Sequence, residues 1–357
     1  MVKLELHFCL FYCPAVIVKV LITVLAGAGF WASTGRGEPV VESAPIRIST
    51  TLVTRTSSSP KPALLSPALS LMQAATLQTA LDRQGFGIGF VDGQAGSRTT
   101  LALRDYARSR NLSLSVARAE LMTESEPATM SYTLTTNDLA LVGTSPADWE
   151  EASTVPAMAC DSIQEVLSEQ FHVSPRFLQR LNPALTNWSA ITAGTVVIVP
   201  NTRPAGTALT AAARLEVDCT DYRVRAFDST NKLLASFPCS IARKLHKVPA
   251  GDLALAAFAP NPNYTFDPDN FPESARAREI GKKLIIPPGP RNPVGVYWLS
   301  LSAEGFGMHG TPHPETIGRR ESHGCFRLTN WDIITLAKMV ETGTPVKVMN
   351  IPVETTE

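Results

Sequence analysis

Apolar positions along the chain change their spacing from one stretch to the next. Residues 9–32, CLFYCPAVIVKVLITVLAGAGFWA, form an apolar run interrupted by Lys19 and Thr23. Residues 74–112 turn helical in spacing. Leu77 and Leu81 stand one turn apart and are stopped by Gly85, and Leu101, Leu103 and Tyr106 recur in SRTTLALRDYARSRN. Two short helices are predicted there, flanking a loop with Asp92-Gly93 and Gly96-Ser97 as turn and cap signals. Ile163, Val166 and Leu167 then mark a helix after Asp161-Ser162, VSPRFLQRLNPAL supplies a second helix ended by Pro183, and AGTVVIVPN reads as a closing strand. From about Arg214 to Met349 the alternation is mostly of period two. A hairpin is predicted around Asp228-Ser-Thr-Asn-Lys232, with further strands at Val294 to Ser300 and Pro345 to Asn350. One helix is predicted over Trp331 to Glu341, with Asn330 as N-cap and Gly343 as terminator.

These changes divide the 357 residues into several modules, more than one compact core would hold. Residues 1–32 read as a signal peptide or an uncleaved membrane anchor, with Ala26-Gly-Ala28 as a small-x-small cleavage pattern. Lys19 to Ala28 taken alone has the form of a positive n-region and an h-region, which places the expected start codon downstream of Met1. A buried core helix suits this stretch poorly, given Pro14 and the Gly-rich end. Residues 33–70 are rich in Ser, Thr and Pro and read as a flexible linker. The remaining boundaries are 71–150 for a helical domain and connector, 154–201 for a helix-helix-strand module, and 211–350 for a strand-dominated domain.

Charge and cysteine content narrow the function. Lys plus Arg and Asp plus Glu each total 32, so net charge is zero and nucleic acid is a poor partner. The sequence contains no phosphate-cradling loop or cofactor-attachment motif, so no cofactor is expected, and a monomer is the default. Past the leader the cysteines are Cys160, Cys219, Cys239 and Cys325. Export permits disulfides, and Cys219 and Cys239 lie in adjacent strand-like segments that could bring them together. Cys325 is then left as a thiol that needs a reason, and catalysis is the first candidate.

The stretch HGTPHPETIGRRESHGCFRLTN, His309 to Asn330, places two His-Gly pairs around that thiol. A thiol attacks an acyl carbon as thiolate and needs a base or a positive field to form it. Histidine supplies the base and returns the proton to the leaving amine. His323, two residues before Cys325, and His309, sixteen before, are both candidates on the residues alone. The glycines beside them permit close backbone approach, and Gly324 could help form an oxyanion hole at Cys325.

His309-Gly310-Thr311 followed by Ser322-His323-Gly324-Cys325-Phe326-Arg327-Leu328 closely resembles the catalytic motif of the YkuD-type L,D-transpeptidases, HG(T) and then SHGC(I/V)R. Ile317-Gly318, Asn330 and Gly343-Thr344-Pro345-Val346 also match, so the resemblance covers most of 214–349. It implies Cys325 as nucleophile and His309 as proton donor and acceptor, with the Gly310 carbonyl holding the imidazole tautomer. It further implies His323 and Gly324 beside the nucleophile, and Arg327, Ser322 and Thr311 as substrate-binding residues. The reaction would attack the L,D-peptide bond of a peptidoglycan tetrapeptide, release D-alanine and pass the acyl group to an amine of another stem or a lipoprotein. Two departures bear on substrate fit: Val248-Pro249-Ala250-Gly251-Asp252-Leu253 stands where the family has a TPTGxF-like strand, and Phe326 replaces an aliphatic residue. The aromatic, Pro-rich FAPNPNYTFDPDNFPESAR reads as a lid or cleft wall.

Two further resemblances concern the modules before this domain. Val91, Asp92, Gly93, Gly96 and Thr99 resemble the loop of three-helix peptidoglycan-binding domains. Leu181-Asn182-Pro183 and Ala193-Gly194-Thr195 resemble a βααβ lysin motif, its degenerate first strand falling near Thr154 to Met158. The implied fold class is multidomain: a small helical module, a βααβ lysin-motif-like module and a mainly-β catalytic domain with one or two helices. Partners would be peptidoglycan stem peptides and glycan strands, and the location periplasm or cell wall.

Three alternatives stay open. An L,D-carboxypeptidase or endopeptidase would use water in place of the amine. A non-catalytic peptidoglycan-binding protein would leave Cys325 inert. A zinc set of His309, His313, His323 and Cys325 has spacing that suits no common knuckle, so no metal is expected. His313 reads as an exposed loop residue, and His172 and His246 as ordinary surface or packing residues.

Overall fold

The computed structural model describes residues 69–271 and 273–352, so the predicted leader and nearly all of the linker lie outside the described residues. Among the described residues no helix is long and apolar enough to cross a membrane.

Three helices come first: α1 (Leu71–Arg83), α2 (Ser97–Arg110) and α3 (Leu114–Met122). Ser70 and Gln73 form a capping box at the start of α1. Gln78 then ties the intervening loop, donating to Asp92 Oδ1 at 2.8 Å and accepting from the Gly93 N–H at 2.9 Å. The third helix is an addition to the two that hydrophobic spacing predicts.

Next come β1 (Thr129–Thr133), α4 (Thr136–Ala140), α5 (Trp149–Ala152), α6 (Ile163–Phe171), α7 (Pro175–Leu181) and β2 (Val196–Pro200). β1 and β2 pair antiparallel, Thr129 opposite Pro200. The first strand is therefore residues 129–133, and the expected strand near Thr154 to Met158 does not form. That segment is a connector instead, bonded through Met158 N–H to the Pro288 carbonyl at 2.8 Å. Thr129–Thr133 wins the place because Tyr132 meets Phe171 of α6 edge-on at 4.8 Å, adding an aromatic contact to the pairing. His172 caps α6 in the left-handed region at φ 53°. Read in the sequence as lacking partners, it is buried, 2.8 Å from Asp82 and stacked on Trp331 at 4.9 Å.

The last region contains β3 (Arg214–Asp218), β4 (Arg223–Phe227), β5 (Leu233–Pro238), β6 (Ile241–Ala242), β7 (Asp252–Pro260), β8 (Tyr264–Phe266), α8 (Ala275–Ile280), β9 (Leu284–Ile286), β10 (Tyr297–Leu301), β11 (Gly307–His309), β12 (Arg320–Ser322), β13 (Phe326–Arg327), α9 (Asn330–Ala337) and β14 (Pro345–Met349). Eight strands form one mixed sheet in the order β13-β11-β10-β7-β14-β3-β4-β5. Its core joins Leu215, Val217, Leu299, Met308 and Phe326 to Ile333 and Leu336 of α9. The N-cap of α9 is Thr329, which accepts from the Asp332 N–H, and Asn330 is the first helical residue. Cys219 and Cys239 are buried free thiols, so the considered bridge is not formed.

β4 is buried along its whole length although it reads Arg-Val-Arg-Ala-Phe. Val224 and Ala226 face the core of the sheet, while Phe227 joins the core of the preceding modules. On that second side Asp105 of α2 accepts from Arg223 Nε and Arg225 Nε at 3.0 Å each and from Ser236 Oγ at 2.7 Å. Buried charges persist only when paired and hydrogen-bonded, and this carboxylate answers both arginines at once. The helical module is thereby docked on the back of the sheet through ionic contacts.

Candidate active site

Strand register builds the site. β11 pairs with β10 antiparallel, Trp298 opposite His309, and with β13 parallel, His309 opposite Arg327. Alternation sends Met308 and Phe326 into the core, both fully buried. Their neighbours Trp298, His309 and Arg327 share the other face, and Cys325 lies immediately before β13, two residues ahead of Arg327. Two short strands at the sheet edge thus set an imidazole and a guanidinium, eighteen residues apart in the sequence, opposite each other, with the thiol just ahead of the second strand.

His309 is held from three sides. Its Nδ1 lies 2.7 Å from the Gly310 carbonyl, which can only accept, so Nδ1 carries the proton and Nε2 presents a lone pair. Trp298 lies against the imidazole face with centroids 5.2 Å apart and planes 13° apart, and its own Nε1 donates to Ser300 Oγ at 2.8 Å. Burial lowers the imidazole pKa to about 4; the Gly310 bond opposes this and Arg327 adds to it.

The Gly310 carbonyl is itself positioned. Gly310 packs against Gly295 so closely that a Cβ would fall 2.2 Å from Asn330 Oδ1 and 3.2 Å from Gly295 Cα. Asn330, buried, accepts from the Val296 N–H at 3.2 Å and donates to the Pro290 carbonyl at 3.1 Å. The side chain read as a helix cap is in place a brace under the residue that orients His309.

Cys325 is half-buried, its Sγ 3.9 Å from the Gly305 carbonyl. Burial pushes its pKa up, while a hydrogen bond from the Gly307 N–H and the charge of Arg327 favour the thiolate. Desolvation thus favours the neutral form of both the thiol and the imidazole.

The other candidate residues take different places. Ser322 is buried, accepting from the Gly324 N–H at 3.2 Å and donating to the Cys325 carbonyl at 2.6 Å. It clamps the loop before the thiol, and the Gly324 donor is engaged there too. His323 is exposed and turned toward Phe271 and Glu273, its Nε2 3.7 Å from the Glu273 carboxylate. Thr311 is fully buried, its hydroxyl accepting from the His313 N–H at 3.2 Å, and it lines a cleft of about 540 Å³ with His313 and Arg327. His313 is exposed beside Glu315. Among the described residues no group of three or more His, Cys, Asp or Glu converges as a metal set.

Trp298 escapes the motif because an aromatic in a strand reads as packing. Its place opposite His309 follows only from the register.

Residues 212–348 match the YkuD family of L,D-transpeptidase catalytic domains. The YkuD protein of Bacillus licheniformis is 28% identical over 184 residues, 52% of this chain and 92% of its own length. Its Bacillus subtilis counterpart is 26% identical over 193 residues, 53% of this chain and 93% of that one. The YbiS protein of Escherichia coli is 42% identical over 84 residues, 23% of this chain and 27% of its own. All three bear the name L,D-transpeptidase. The domain at 212–348 is a YkuD L,D-transpeptidase catalytic domain, with the mainly-β sheet as its frame.

Proposed function

We propose that the chain is a cysteine-dependent L,D-transpeptidase that remodels peptidoglycan outside the cytoplasm, with Cys325 as nucleophile and His309 as base. The observation that carries this reading is the bond from His309 Nδ1 to the Gly310 carbonyl, at the end of a strand whose parallel partner begins one residue after Cys325. That bond plays the tautomer-fixing part that a carboxylate plays in serine hydrolase triads.

On this reading Nε2 takes the thiol proton as sulfur attacks the carbonyl carbon of the L,D-peptide bond. The protonated imidazole then returns that proton to the leaving D-alanine amine, leaving a thioester on Cys325. An amine of another stem attacks the thioester, His309 takes the amine's proton, and the thiol is restored. Arg327, with its Nε buried and without a hydrogen-bond partner among the described residues, is the candidate for a substrate carboxylate. The helical module and the β1–β2 module that follows it are proposed to hold glycan, and residues 1–32 to direct export or anchor the chain.

Hydrolysis is the second reading, since Cys325 is only half-buried and the thioester stays within reach of water. Incubating the full chain with disaccharide tetrapeptide, with intact-protein and product mass spectrometry, separates the two. Transpeptidation gives D-alanine and cross-linked dimer, both abolished in Cys325→Ala and slowed strongly in His309→Ala. D-alanine without dimer marks a carboxypeptidase. No adduct and no turnover by the wild type would leave a binding protein and sink the catalytic reading.

A further inference from the structure

The 540 Å³ cleft beside Arg327 has two walls of different origin. One holds Thr311, Pro312 and His313 of the matched domain. The other is built by Ala147, Trp149, Ala152 and Met158, which lie outside residues 212–348.

That outer wall is fixed in place. Trp149 stacks on Phe266 with centroids 4.7 Å apart and planes 23° apart. Arg276 of α8 bonds Asp148 and Glu150 at 2.9 Å each. The backbone of Met158 exchanges hydrogen bonds with Pro288 and Arg291 at 2.8 and 3.1 Å. Ala152 and Met158 share a small core with Phe266, Ala277, Ile280 and Ile286. Segment 264–286 therefore completes its apolar packing only with the connector.

The charges in the cleft are unequal. Arg276 is engaged by Asp148, Glu150 and Glu279, and Arg291 by Asp161 and Glu165. Arg327 is less engaged: Glu321 stands off at 4.0 Å and its buried Nε has no hydrogen-bond partner among the described residues. The lining thus offers one guanidinium with a donor to spare, that of Arg327, and an indole, a thioether and alanine methyls from the connector. A ligand that fits carries a carboxylate and short alkyl groups a few bonds apart.

We propose that this cleft is a peptide subsite that seats a carboxylate of a peptidoglycan stem on Arg327 and lays its alkyl groups against Trp149. The connector 146–158 is then a specificity-determining part of the active site. This rests on the assignment of Cys325 and His309 above.

Ala147 is exposed at the rim of the cleft, so Ala147→Trp fills the space without entering a core. In the full chain it is expected to lower kcat/KM for disaccharide tetrapeptide at least tenfold, chiefly through KM. Acylation of Cys325 by a carbapenem, a small acylating agent, should stay within twofold. Amidating the stem carboxylates should weaken the wild type and add little to Ala147→Trp. Unchanged turnover, or equal loss of both reactions, overturns the subsite. Calorimetric binding of the same peptide to the Cys325→Ala chain needs no chemistry. Tenfold weaker binding on adding Ala147→Trp supports the cleft and unchanged binding overturns it, even if a wild type that neither turns over nor acylates has defeated the catalytic reading.

Discussion

Trp298 lies nearly parallel to His309, ring centroids 5.2 Å apart, in directly opposed positions of two antiparallel strands. The stack holds the imidazole plane, and its π face would favour the imidazolium that the proposed mechanism forms. Trp298→Leu is expected to reduce kcat for tetrapeptide about tenfold, roughly 1.4 kcal/mol of transition-state stabilisation, with KM nearly constant. Trp298→Phe should recover most of it. Equal activity in Leu and Phe variants would show that the indole only fills space.

With His309 as the proposed base, its neutral form is the one that acts, so the acid limb of kcat/KM should fall near pH 4 instead of the ordinary 6.5. A limb between 6 and 7, on the order of an unperturbed histidine, would contradict it. The same shift makes His309 a stability group. Because the folded state disfavours its protonation, its contribution is complete above 6.5 and is lost as pH falls toward 4. His309→Gln should reduce that part of the acid sensitivity in thermal melts.

Asp105 holds two buried arginines of β4. Asp105→Ala leaves the buried Arg223 guanidinium without a carboxylate, while Arg225 keeps Asp218 and Asp221, and is expected to cost about 3–5 kcal/mol, read from urea unfolding. A loss below about 1 kcal/mol, the scale of a surface pair, would mean that water or Ser236 replaces the carboxylate.

Asp332 carries a buried carboxyl whose pKa is pushed up to about 7 by burial, with Asp82 adding to the shift. A raised folded-state pKa gives stability that is present below the ordinary 3.8 and is lost as pH rises through about 7. Asp332→Asn removes the charge, so its melting temperature should match the wild type near pH 4 and exceed it increasingly up to pH 8. A pH-independent difference would place the effect in packing.

Gly310→Ala tests the brace beneath His309. The added methyl collides with Asn330 Oδ1, which two hydrogen bonds keep from moving aside. Activity should fall at least tenfold, with little change in the rate at which a small alkylating reagent labels Cys325. Labelling and activity falling together would point to collapse of the whole loop.

The family of the catalytic domain was visible in the sequence because its motif depends on residue types at short range. Cys325 between His-Gly pairs, the hairpin around Asp228 to Lys232 and the helical spacing of Ile163, Val166 and Leu167 are local signals, read from side-chain chemistry and period. What the sequence left open depended on which distant segments meet. The places of the two histidines are of this kind: the β11–β13 register sets His309 opposite Arg327, and His323 turns outward to Glu273. Arg-Val-Arg-Ala-Phe reads as a half-exposed strand, yet it is buried on both faces because α2 brings Asp105 over it. Thr129–Thr133 rather than Thr154 to Met158 pairs with β2, since strand partners are chosen by contacts that no local window contains. Trp298, the Asn330 brace and the Trp149 wall arise in the same way. Local pattern states what each residue can do, and only the closed structure decides what it is placed beside.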